Sequence, residues 1–379
     1  MKYTISEEAD KKIEEDFKVI KEIILEKFNP VAIISFGGFG HGGGSFKKIK
    51  GKILPLNDYD LYLITKEQIS NQELEELGKK CSERIGRGGI EFVEEFENIY
   101  DEKKFFHVDL HCITEKKLSK LYPTQRTFDL KSSLVIYGDE KVLEKIPDVK
   151  ISKSDSVRML FNKINHFNLA EKNSKEIRSI YAVKGFTDLC SSLLIFEGKY
   201  TSSRYQDKEK IFSKLDVPEE LKKFVSEATK AKLYEGYSVA NVDYFFAKSK
   251  EWVNWGLKRI LKGLLNTKEE GWKEICLEAY KKLPYFYFKD YLKYGWLFPA
   301  QYYLNIRFFL EGIRKKEFLI KSLMRWRDAG LIIAFAMILY SSGEMKEAEK
   351  YLRKLTAKIS PLRERILKLY SIYYLQKLV

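Results

Sequence analysis

The sequence predicts an α+β N-terminal domain, a mixed β-sheet flanked by helices, followed by an all-α C-terminal half. Three observations predict it. Short β-branched or aromatic runs bounded by glycine, proline or charge occur only before Pro147. Helical periodicities alternate with those runs, as in an α/β unit of domain size. After Pro147 strand signals vanish, and apolar residues recur at helical spacing to the C-terminus.

Thr4 and Glu7 have the spacing of a capping box, and Ile13, Phe17, Ile20, Ile24 and Phe28 then mark one helix face until Asn29-Pro30 stops it. Val31 to Phe36 and Leu61 to Ile64 read as strands, with a glycine-rich loop and a lysine-rich insert between them. Ser70 and Glu73 cap a helix to about Ile85. Ile90–Phe96, Phe105–Ile113 and Leu134–Tyr137 are further strands. In the helical half, Val157, Leu160, Phe161 and Ile164 form a stripe, and Ile180–Phe196 is a long apolar helix ended by Gly198. Leu265-Asn266-Thr267 marks a boundary, and Ala334, Leu339, Gly343, Ala348 and Leu352 suggest one helical hairpin. The expected domains are 1–148, 149–265 and 266–379.

A chain of 379 residues, 45% hydrophobic, buries a sizeable core. Its net charge of +14 favours a polyanionic partner such as a nucleotide or nucleic acid, although interleaved Lys and Glu also read as a solvated face. Cys81, Cys112, Cys190 and Cys276 are too dispersed for a zinc knuckle or a disulfide framework. The apolar run Leu331–Tyr340 is shorter than the ~20 residues a bilayer span needs, and the N-terminus lacks a signal core. A soluble cytoplasmic protein without a membrane partner is expected.

Asp58 and Asp60 stand two apart at the start of a strand, so both carboxylates point to one face. Convergent carboxylates make an oxygen site for Mg²⁺, which completes its octahedron with water and phosphate. The preceding strand ends in Gly37-Gly38 and runs on to Ser45, and glycines let backbone amides approach a phosphate chain. A Walker loop is excluded because no Lys precedes Ser45, and a dinucleotide fingerprint lacks its acidic partner. Asp109 is a third acidic residue inside a strand, where burial is costly without a metal or hydrogen bonds. His107 and His111 share its face; orienting or packing is the role expected of them, because a hard ion prefers oxygen.

Phe36-Gly37-Gly38, Asp58-Tyr59-Asp60 and Asp109 occur in the order found in the nucleotidyltransferase superfamily that includes DNA polymerase beta and the aminoglycoside nucleotidyltransferases, which the first ~210 residues resemble. Phe128-Asp129-Leu130 with Val135 to Gly138, and Tyr181 to Lys184 with Asp188, Leu193-Leu194, Gly198 and Tyr200, resemble its later segments and C-terminal helical domain. Two departures stand out: Gly38 replaces the commoner serine, and the stretch before Asp58 is unusually long.

The resemblance implies transfer of a nucleoside monophosphate from an NTP, ATP being the expected donor, to an acceptor hydroxyl, with release of pyrophosphate. It implies two Mg²⁺ ions, or Mn²⁺, held by Asp58, Asp60 and Asp109 as catalytic and metal residues. Gly37, Gly38, Ser45 and Lys184 are the implied nucleotide-binding residues. A small-molecule acceptor is expected. Modification of an RNA end or a protein, and a non-catalytic nucleotide-binding or antitoxin-like role, stay open as alternatives.

Overall fold

A computed structural model describes residues 2–56, 58–86, 107–279, 281–282, 313–314, 329–356 and 360–374. The N-terminal part runs α1 (Glu7–Lys27), β1 (Ala32–Ser35), α2 (Gly37–Gly40), β2 (Phe46–Ile49), β3 (Lys52–Pro55), β4 (Asp58–Thr65), α3 (Asn71–Arg84) and β5 (His107–Thr114). It ends with α4 (Glu115–Leu118), α5 (Gln125–Lys131), β6 (Leu134–Gly138) and a 3₁₀ turn, Glu140–Lys145. The four-stranded sheet has the order β5-β4-β1-β6. β1 pairs antiparallel with β4 and β6, and β4 pairs parallel with β5, so the sheet is mixed.

Alternation along β4 explains how this sheet presents chemistry on one face only. Tyr59, Leu61 and Leu63 pack into an apolar cluster with Ile13, Phe17 and Ile20 of α1 and Leu74 and Leu77 of α3. Tyr59 also donates its hydroxyl to the buried Asp16 of α1 at 2.9 Å. Tyr62 and Ile64 turn to the other face and join Ala32, Ile34, Ile113 and Leu130. Period two therefore puts Asp58 and Asp60 on that second face.

Two local expectations change. Ser6, not Thr4, caps α1, accepting from the Ala9 N–H. Thr4 is occupied elsewhere: its N–H and hydroxyl donate to Asp10 at 2.7 and 2.9 Å, so no Thr4–Glu7 box forms. The lysine-rich insert is a β-hairpin, β2–β3, because Lys50 and Gly51 at its tip both adopt positive φ, the two-residue turn that suits strand twist. Ser70 and Glu73 do form a capping box at the start of α3. The expected strand Ile90–Phe96 lies outside the described residues.

From 149 onward every regular element among the described residues is a helix. These include α6 (Asp155–Ala170), α7 (Lys175–Phe196), α8 (Tyr205–Phe212), α9 (Glu219–Tyr234) and α10 (Val242–Leu265). Beyond them lie a helical stretch over 272–279, α11 (Ala329–Ser341), α12 (Met345–Leu352) and α13 (Leu362–Tyr374). Asn266, in the left-handed conformation, ends α10, and Gly343 turns α11 into α12 as a helical hairpin. One apolar cluster, with Phe186 stacked on Phe224 at 5.1 Å, extends from α6 and α7 to Ile366 and Leu369 of α13. By length and composition α7 is apolar enough to cross a membrane, but 78% of its most apolar window is buried inside the protein, as befits a core helix.

Candidate functional site

Parallel pairing of β4 with β5 sets Asp58 opposite His107, Asp60 opposite Asp109 and Tyr62 opposite His111. All six lie on one face of the sheet. Asp60, Asp109 and His111 each offer a ligand atom, and these atoms lie within 4.8 Å of one another. Asp58 does not belong to that group, although its charge reaches Asp60. Burial, then the charges of Asp58 and Asp109, push the Asp60 carboxyl well above its ordinary pKa, against the opposing pull of Arg126 and Lys184. Carboxylates crowded in this way are stabilised by a cation, so the donor set fits a divalent metal.

The glycine loop is pressed against this carboxylate. Phe36 donates its N–H to the Asp60 carbonyl at 2.9 Å, and Gly37 follows with φ +66°. A Cβ at Gly37 would stand 2.8 Å from Asp60 Oδ2. Gly37→Ala is therefore expected to cost about 1–3 kcal/mol in backbone strain and to weaken divalent-metal binding, read by chemical denaturation and by calorimetric titration. Gly38 is equally confined. Its carbonyl accepts from His41 and Gly43, and a Cβ there would lie 3.0 Å from the Gly43 oxygen. A serine at 38 would need this closed loop to shift by a few tenths of an ångström, which accounts for the glycine.

Arg126 on α5 borders the acidic group. Its guanidinium lies over the rings of Phe36 and Tyr62 at 5.7 and 5.2 Å and hydrogen-bonds to His111 Nε2 at 3.1 Å. The same Nε2 is 3.3 Å from Asp109 Oδ2, and the His111 ring packs on Tyr62 at 4.9 Å. Tyr62, buried among these groups, has its hydroxyl pushed up to about 12, chiefly by burial.

Cations of the helical half face the loop and the carboxylates. The charge of Lys184 on α7 acts on Asp60, on His166 and on Tyr237, which places it among the three. Lys232 on α9 is buried, donates to the Tyr237 hydroxyl at 2.9 Å and lies 4.6 Å from the Tyr205 ring. Burial works against its charge, but the phenols of Tyr205 and Tyr237 outweigh that and raise its pKa. Burial likewise raises the Tyr237 phenol, and Lys232 and Lys184 more than offset it, so its pKa falls below the ordinary value. Lys208 caps the Tyr205 ring at 4.3 Å. Tyr205 in turn touches the loop, since a Cβ at Gly43 would stand 2.7 Å from its ring. Ser45 is buried beside Tyr237 at the foot of the loop, with its hydroxyl directed at the phenol.

Of the residues predicted from sequence, Asp60, Asp109, Gly37 and Gly38 meet at one end of the sheet, Lys184 faces Asp60, and Ser45 lies by Tyr237. Asp58 stands one sheet position away. Arg126, Lys232, Lys208, Tyr205 and Tyr237 were missed. Lys232 had a legible signal: it occupies the apolar stripe Leu221, Val225, Ala228 at helical spacing, where a lysine is out of place. Arg126 and Tyr237 have no comparable mark, because both are brought to the site by contacts remote in sequence.

His166 of α6 lines the same interior. Burial first, then the charges of Lys163 and Lys184, hold it well below its ordinary pKa of 6.5. The folded state thus keeps a neutral ring while the unfolded chain takes up a proton, so its contribution to stability is intact above pH 6.5 and declines on acidification below it. In urea melts the wild type is expected to lose about 1.4 kcal/mol more per pH unit below that point than His166→Asn. Equal slopes would contradict it.

Among known proteins, no family model and no curated protein matches this chain.

Proposed function

We propose that this protein is a metal-dependent nucleotidyltransferase, transferring a nucleoside monophosphate from an NTP, ATP foremost, to an acceptor hydroxyl. The observation that carries the reading is the pairing of Asp60 with Asp109 under the glycine loop, with the charge of Lys184 acting on Asp60 and Lys232 held by Tyr205 and Tyr237 beside the loop. Such transfer asks for alignment and charge neutralisation more than covalent chemistry by the protein. In the reaction the acceptor oxygen bonds to the α-phosphorus, the bond to the bridging oxygen of the β-phosphate breaks, and pyrophosphate departs.

Asp60 and Asp109, with Asp58 beside them, would hold Mg²⁺ ions, which neutralise phosphate charge and lower the pKa of the attacking hydroxyl. Asp109, at the edge of the carboxylate group, takes the acceptor proton. Gly37 and Gly38 bring backbone amides to the triphosphate, which Lys184, Lys232 and the Ser45 hydroxyl bind from the other side. The basic hairpin rests on the same region: a Cβ at Gly236 would stand 2.5 Å from Lys47 Cγ, next to Tyr237. All four cysteines are free and buried, consistent with the reducing cytoplasm we assign to the protein.

Calorimetry tests the nucleotide grip. With Mg²⁺ present the wild type is expected to bind ATP, and Lys184→Ala to raise Kd about 10- to 100-fold, the worth of one charge-assisted hydrogen bond, with its melting curve retained. An unchanged Kd would remove Lys184 from the phosphate site.

A further inference from the structure

We propose that His111 is an inner-sphere metal ligand, and that the Asp60–Asp109–His111 position therefore selects a first-row transition ion, Mn²⁺ in particular, over Mg²⁺. The inference deepens the proposed nucleotidyl transfer and rests on it for the role of the ion, though the binding itself can be tested without nucleotide.

Two carboxylates and one imidazole converge here, with all three ligand atoms within 4.8 Å. The 3.3 Å between His111 Nε2 and Asp109 Oδ2 suits neighbouring ligands of one octahedral ion, whose donors at ~2.1 Å stand about 3 Å apart. The same nitrogen is 3.1 Å from the Arg126 guanidinium, so a metal on Nε2 would replace that contact and leave the guanidinium its places over Phe36 and Tyr62. Packing against the Tyr62 ring at 4.9 Å already restrains the imidazole, so binding orders little that was free.

The ligand set decides the metal. Magnesium favours an all-oxygen shell, whereas imidazole suits the first-row transition ions, and binding strength rises along that series from Mn²⁺. Mn²⁺ joins nitrogen affinity to the hardness that phosphate oxygens require, which makes it the ion of choice for a nucleotide site with one histidine.

The test is pulsed electron paramagnetic resonance of the Mn²⁺-loaded full-length protein, without nucleotide. The wild type is expected to show ¹⁴N coupling from one coordinated imidazole. His111→Asp, which preserves an oxygen donor, should lose that coupling and lower the Mn²⁺-over-Mg²⁺ affinity ratio at least 10-fold. Mn²⁺ bound without ¹⁴N coupling in the wild type overturns the proposal, whether or not the variant folds. So does coupling that survives in His111→Asp but disappears in His107→Asn. ATP titrated into the same Mn²⁺ sample separates the two ideas. Coupling without ATP binding keeps the metal site and removes nucleotidyl transfer, whereas ATP-dependent transfer with no ¹⁴N coupling does the reverse.

Discussion

Asp60→Asn is expected to abolish metal-dependent nucleotidyl transfer, by about 10³-fold or more, judged by the loss when one preorganised charge-stabilising group is removed. The same substitution should leave the metal-free protein more stable at neutral pH. Burial and two neighbouring carboxylates raise the Asp60 pKa, so the folded state binds a proton that the unfolded chain releases. The ionised carboxylate thus destabilises the fold above pH 3.8, its ordinary pKa, and the penalty grows until the pH reaches the folded value. The neutral amide escapes this penalty. Denaturation of the two proteins without metal should therefore show the Asp60→Asn variant the more stable at pH 7, with the difference closing as the pH falls towards 3.8. A variant that loses both activity and stability at pH 7 would mean that Asp60 serves the fold.

Asp129→Ala should be the most destabilising single change at the junction of the sheet domain with the helical half. The buried Asp129 carboxylate accepts from Tyr200 at 2.9 Å and Ser203 at 2.5 Å, and from Gln125. Its backbone carbonyl accepts from His41 at 2.9 Å, tying the end of the glycine loop to α5. Truncation strands the buried Tyr200 hydroxyl on the segment after α7 and leaves Ser203 with Ser132 alone, at a cost of about 3 kcal/mol. Urea unfolding should register that loss, and Asp129→Asn, which retains one acceptor, should recover part of it. A midpoint unchanged in Asp129→Ala would show that water satisfies these groups equally well.

What was legible in the sequence follows from locality. The alternation Asp58-Tyr59-Asp60-Leu61 marks which side chains share a face, and period two needs no tertiary information. Ser70 and Glu73 likewise specify a cap within four residues. Thr4 misled because the same pattern offered two partners, and Asp10 outcompeted the helix terminus for its hydroxyl. The hairpin was hidden in a lysine-rich run whose turn, Lys50-Gly51, is not among the strong two-residue signals. Arg126, Tyr205 and Tyr237 escaped notice because only folding brings α5 to the carboxylates and α8 and the turn after α9 to the glycine loop and its lysines. The face that His111 occupies is legible from alternation, but its contact with Asp109 depends on the register of β4 and β5, which no single strand specifies.

The most direct test of nucleotidyl transfer is incubation of the protein with Mn²⁺ or Mg²⁺, α-labelled NTPs and a panel of hydroxyl-bearing metabolites and RNAs, reading label transfer and pyrophosphate together. One acceptor should be labelled in equal amount to the pyrophosphate released, with ATP as the preferred donor and no transfer by Asp60→Asn. Failure of the wild type to bind any NTP in the presence of either metal would contradict nucleotidyl transfer.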